Sequence, residues 1–80
     1  MPTKPQQARR YRSVPTLLRS IREEAGLTQR DLALQFGKGH AWVYNCETGN
    51  RRVDVSEFID WCKACNVDPV VGLRRLMALR

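Results

Sequence analysis

Apolar residues along this chain recur in short helical stripes rather than in strict alternation. Leu17, Leu18, Ile21 and Ala25 fall three or four apart, the spacing of one helix face. Ser13 caps that predicted helix ahead of Val14-Pro15-Thr16, where proline is tolerated in a first turn, and Gly26 ends it. Thr28 opens a second helix with Asp31 three residues on, close to a capping box; Leu32, Ala33 and Phe36 form its stripe and Gly37 stops it. A turn containing Lys38 and Gly39 leads to a third helix over about His40 to Glu47, with Val43 and Cys46 facing inward and Gly49 at its end. After the polar Asn50-Arg51-Arg52 loop, Asp54 caps a fourth helix whose inner face is Phe58, Ile59, Cys62 and Cys65. Asp68-Pro69 is a strong start for a fifth, which carries Val70, Leu73, Leu76 and Met77. Val53 to Val55 is briefly β-branched, but no strand pattern emerges. The expected fold is all-α, five helices over residues 13–80, preceded by a flexible basic tail over residues 1–12.

Composition agrees with one small domain. Eighty residues fill a single domain, and a domain of that size buries only about 60% of its unfolded surface. A deep catalytic cavity is therefore not expected. The charge balance is more informative: 14 Lys+Arg against 8 Asp+Glu gives a net charge of +6, a surface that attracts polyanions. The tail contributes Lys4, Arg9, Arg10 and Arg12 with no acid, and only Met1 and Tyr11 as large hydrophobic residues, so it has little to bury. Three cysteines are an odd number and cannot close a disulfide framework, which fits a reducing, cytoplasmic setting. No apolar run is long enough to span a membrane, and the basic N-terminus lacks the apolar segment of a secretory signal.

The second and third predicted helices narrow the class. Two short helices joined by a tight, glycine-containing turn make a helix-turn-helix, in which the second helix lies in the major groove and the first crosses the backbone. The stretch from Leu18 to Ala33, LRSIREEAGLTQRDLA, resembles the opening of the Cro/C1-type (XRE) helix-turn-helix family. Gly37 falls at the family's turn glycine, and Val43, Glu47 and Gly49 match its V-x-x-x-E-x-G close. DVSEFIDWCKACNVDP then resembles the fourth helix and the start of the fifth, so the likeness covers about residues 14 to 77.

The resemblance implies a lambda-repressor-like domain that binds double-stranded DNA as a transcriptional regulator, a repressor or one of its relatives, and as a homodimer on a two-fold site. It places His40, Ala41, Tyr44 and Asn45 at the groove-facing positions. Asparagine can pair with adenine, histidine can donate or accept, and alanine can touch a thymine methyl. Thr28 and Gln29 match the start of the second helix, where family members touch phosphate. Lys38, Asn50, Arg51 and Arg52 flank the reading helix as further backbone contacts, the loop residues having a solvated loop as their alternative. Trp42 is large for its slot and either packs or lies against the sugar-phosphate wall. Arg22 and Glu47 match a structural ion pair between the first and third helices. The chain departs from the family in two ways: Lys38-Gly39 replaces the usual hydroxyl-bearing cap, and His40, Trp42 and Tyr44 make the reading helix unusually aromatic.

Other constellations read as structure. Cys62-Lys63-Ala64-Cys65 has the spacing of a zinc or redox site, but both cysteines fall on a core face and only Cys46 and His40 remain as further ligands, on different faces of another helix. No metal or cofactor is expected. His40 is the only histidine and has no partner nucleophile, so no catalytic residue and no enzyme activity is expected. Trp61 reads as a core or interface residue. Val71 and Leu79 are available to a partner, and the tail arginines Arg9, Arg10 and Arg12 to the minor groove. The rival function is an antitoxin-like interaction module whose main task is to hold a toxin or other protein.

Overall fold

In a computed structural model, which describes residues 5–79 and the side chains of residues 11–79, five helices follow one another: α1 (Pro5–Glu24), α2 (Gln29–Phe36), α3 (His40–Thr48), α4 (Val55–Ala64) and α5 (Pro69–Ala78). No strand occurs among the described residues, so the architecture is all-α. Local chemistry explains most of the boundaries. Thr28 and Asp31 form a complete capping box on α2, and Asp54 and Glu57 form a second on α4, each satisfying N–H groups that a helix start leaves open. Gly37 and Gly49 end α2 and α3 in the left-handed region, at φ of 65° and 84°, where a side chain would be strained.

The start of α1 departs from the expected tail. The helix begins at Pro5, well before the Ser13 cap, and Pro15 lies in its interior. Pro15 has no N–H to offer the carbonyl of Tyr11, which weakens the helix locally. Packing compensates: Pro15 is buried, and its ring lies under the turn at Gly49. Tyr11 is also tied to the loop after α3 by hydrogen bonds described below. Residues 1–4, including Lys4, and the side chains of Arg9 and Arg10 lie outside the described residues.

The core gathers Leu17, Leu18 and Ile21 from α1, Leu32 and Ala33 from α2, Val43 and Cys46 from α3, and Phe58, Trp61 and Cys62 from α4, with Cys65 at the helix end. Trp61 is fully buried, and its indole N–H donates to the carbonyl of Leu18 at 3.0 Å, so a polar atom at the centre of the core is satisfied. Burial pushes the Cys65 thiol up to about 11 and raises Cys46 and Cys62 as well. The three cysteines thus pack as small neutral groups.

Two expectations about the inner faces need correction. Ile59 is exposed, and so are Val70, Leu73 and Met77. On α5 the inward stripe is instead Gly72 and Leu76, four residues apart. The reason is close approach. A Cβ at Gly72 would sit 2.7 Å from the Cys62 sulfur and 3.4 Å from the Phe58 ring, so the bare backbone of α5 rests on α4 and the larger side chains turn outward. Beside that stripe, Arg75 donates to both carboxylate oxygens of Glu24 at 2.8 and 2.7 Å and links the helix to the end of α1.

Gly72→Ala should destabilise the fold by about 1–3 kcal/mol, the range for overpacking. Urea unfolding would read this, and Cys62→Ala in the same chain should recover part of the loss; an unchanged midpoint in Gly72→Ala would contradict the close approach. A second expectation concerns pH. The unfolded Cys65 thiol ionises near 9.0 and the folded one near 11, so the unfolded state loses its proton first. Stability should be unaffected by this group below pH 9 and fall as pH rises from 9 towards 11. Cys65→Ala should flatten that part of the pH profile.

Candidate nucleic-acid interface

Glu47 lies in the last turn of α3 with its carboxylate almost wholly buried. Its two oxygens accept from Arg22 of α1, one from Nε and the other from Nη2 at 3.0 Å. The side chains are 9% and 2% exposed for Arg22 and Glu47. Gln29, at the start of α2, donates its side-chain amide to the same Glu47 Oε1 at 3.2 Å. Arg22 also donates from Nη1 to the carbonyl of Leu27 at 2.8 Å. One carboxylate therefore links α1, α2 and α3. The hydrogen bond that Arg22 donates to Glu47 raises its already high pKa, so the guanidinium is charged at any pH the fold survives.

With α3 held this way, its outer face is defined. His40, Ala41 and Tyr44 are exposed, and Asn45 is half-buried beside them. His40 and Tyr44, Ala41 and Tyr44, and Ala41 and Asn45 are three or four apart, so the four positions lie on one side of the helix. Asn45 Oδ1 accepts from Asn50 Nδ2 at 3.4 Å, and its backbone carbonyl accepts from Arg51 N at 3.1 Å, which folds the loop back onto the end of α3. Gly39 caps α3 without a side-chain bond, as the glycine at that position implies.

The residues assigned to the sugar-phosphate backbone separate into groups. Lys38, Asn50 and Arg52 are exposed around the α3 face. Thr28 is exposed, but its hydroxyl oxygen and backbone N–H are engaged by Asp31 at 3.1 and 2.9 Å. The Thr28 backbone N–H, and after it the Thr28 hydroxyl, hold the Asp31 carboxyl below its usual range. Gln29 keeps one amide hydrogen beyond the bond to Glu47.

Trp42 and Arg51 belong elsewhere. Trp42 packs inward, with its ring centroid 5.2 Å from Phe36 and 6.3 Å from Trp61. Arg51 places its guanidinium 5.1 Å from the Trp42 ring, and donates to both oxygens of Glu57 at 3.0 and 2.7 Å and to the Arg52 carbonyl at 3.0 Å. That pairing, helped by the bond to the Asp54 backbone, holds the Glu57 carboxyl below its usual range. Trp42 extends the aromatic core because its neighbours there are aromatic, and Arg51 is a clamp between the loop and α4.

Tyr11 joins α1 to the loop after α3. Its hydroxyl accepts from the Val53 N–H at 2.7 Å and donates to the Arg51 carbonyl at 3.5 Å, and the Arg52 guanidinium lies 4.4 Å from its ring. The signal was present: Tyr11, Val14, Leu18 and Ile21 continue the helical spacing of α1 back into the basic segment.

Three elements now stand together: two short helices at a glycine turn, a braced third helix with an outward polar face, and basic residues flanking it. They define a DNA-binding helix-turn-helix domain. The helix-turn-helix domain family matches residues 16–76. A solved XRE-family like protein from Pseudomonas syringae pv. tomato is 38% identical, superposes with a TM-score of 0.81, and is matched over 90% of this chain and 88% of that one. Among curated proteins no sequence matches. The chain belongs to the XRE family of helix-turn-helix proteins, DNA-binding regulators as a class.

Removing one partner of the central pair leaves an uncompensated buried charge. Arg22→Met or Glu47→Ala should each cost about 3–5 kcal/mol in chemical unfolding. A loss below 1 kcal/mol in both would mean that the pair does not organise the helices.

Proposed function

We propose that this protein is a sequence-specific transcriptional regulator, acting as a repressor, that reads the major groove with α3. What supports the reading is the exposure of His40, Ala41 and Tyr44, with Asn45 half-buried beside them, on one side of a helix that Glu47 ties to α1 and α2. A helix presented so fits the width of the B-DNA major groove. Lys38, Asn50, Arg52 and the remaining amide hydrogen of Gln29 are the phosphate contacts, with Thr28 serving mainly as the cap of α2. Trp42 and Arg51 have no part in them. Repression follows from binding where the target overlaps a promoter, since the seated protein then denies that DNA to polymerase.

The exposed stripe of Val70, Leu73 and Met77 on α5 supports a homodimer on a two-fold symmetric site. The same stripe favours the second reading, an antitoxin-like module in which that face holds a protein partner.

Binding to the gene's own upstream DNA, measured with competitor DNA at several salt concentrations, tests the first reading. Affinity should survive competitor and fall steeply with salt. His40→Ala and Asn45→Ala should each lose about 1–3 kcal/mol of discrimination at one base position. Lys38→Ala should weaken all sequences alike. Unchanged base preference in both α3 variants would overturn the assignment of α3, and selection of no sequence from a random pool would overturn the regulator. Leu73→Asp should abolish any dimer seen by sedimentation if α5 forms the interface.

A further inference from the structure

The two neighbouring arginines of the α3–α4 loop are held in opposite ways. Arg51 is engaged by face and by edge: Trp42 lies under its guanidinium, and its terminal N–H groups go to Glu57 and the Arg52 carbonyl. Arg52 is engaged by face alone. Its guanidinium lies 4.4 Å from the Tyr11 ring, and among the described residues its side chain donates no hydrogen bond. Stacking on an aromatic face leaves the in-plane N–H groups of a guanidinium available, and that donor fork matches a phosphate. Tyr11 is itself immobilised, since its hydroxyl accepts from the Val53 N–H at 2.7 Å and donates to the Arg51 carbonyl at 3.5 Å. The ring thus sits between α1 and the loop, holding the backbone on either side of Arg52 with its hydroxyl and the side chain of Arg52 with its face.

We infer that Tyr11 is a positioning residue for DNA binding: from α1 it presents Arg52 to a backbone phosphate. This rests on the DNA-binding reading above and adds a part that lies outside the helix-turn-helix itself. Arg12, exposed next to Tyr11, lies on the same end of α1. An arginine on a loop without such a platform would lose more side-chain entropy on binding phosphate; the stacked one is ordered beforehand.

The test is a double-mutant cycle on Tyr11 and Arg52, read by DNA affinity across a salt series, with thermal unfolding and far-ultraviolet circular dichroism alongside. Arg52→Gln should weaken binding and reduce the slope of log K against log salt by about 0.9, the loss of one phosphate contact. Tyr11→Leu should weaken binding about two- to fivefold, the scale of an exposed cation–π contact, without changing base preference. In the Arg52→Gln background Tyr11→Leu should have almost no further effect on affinity. Tyr11→Phe keeps the ring and loses the hydroxyl, and should fall between wild type and Tyr11→Leu; it also carries the test if Tyr11→Leu fails to fold. Additive losses, or a Tyr11 variant that lowers thermal stability but leaves affinity and salt slope untouched, would overturn the inference and reduce Tyr11 to a structural staple. Failure of the underlying reading looks different: the wild-type protein itself would then show no salt-dependent, sequence-selective binding.

Discussion

Everything that α3 presents depends on one buried carboxylate. Glu47 accepts from Arg22 on α1 and from Gln29 on α2, and Arg22 reaches on to the Leu27 carbonyl in the link between those helices. Apolar contacts made by Val43 and Cys46 would hold α3 against the core, but such contacts are non-directional and tolerate rotation. An ionised carboxylate out of water does not: every displacement that lengthens its bonds leaves charge uncompensated. The pair thus contributes orientation more than net stability. It stops α3 from rolling, and with it the positions of His40, Ala41, Tyr44 and Asn45.

The same arrangement shows why net charge is a poor map of a binding surface. Of the basic residues, Arg19, Arg22, Arg51 and Arg75 each sit on a glutamate. Their charges are matched locally and serve packing between elements, most clearly at Arg51, which joins the loop to α4 through Glu57 and lies against Trp42. The excess positive charge resides on residues outside those pairs, and Lys38 and Arg52 place part of it on either side of α3.

The C-terminal helix has a different balance. Gly72 lets α5 lie so close to α4 that Cys62 and Phe58 fill the space a side chain would take. Close backbone approach seats the helix with few inward side chains, and Arg75 adds a surface ion pair to Glu24 of α1. Val70, Leu73 and Met77 are left as an outward apolar stripe, a surface that a single copy of the chain leaves to water.

The sequence by itself determined five helices and, for α2 to α5, their punctuation. Thr28, Gly37, Gly49, Asp54 and Asp68 act through bonds and torsions within a few residues, so their effect can be read without a fold. The α3 set of His40, Ala41, Tyr44 and Asn45 came from the family resemblance, and the first three of these are exposed and Asn45 half-buried. Only the tertiary structure decided what each face meets. Pro15 and Ser13 locally favour a helix start, yet α1 runs back to Pro5 with Tyr11 bonded to a loop some forty residues away. Gly72 has no side chain to count in a hydrophobic stripe, so Val70, Leu73 and Met77 looked like the inner face of α5. Trp42 and Arg51 have the chemistry of DNA contacts and became core and clamp, because Phe36, Trp61 and Glu57 arrive beside them from other helices. The reason is the same throughout: capping and periodicity are local, whereas burial and charge pairing are settled between residues distant in sequence.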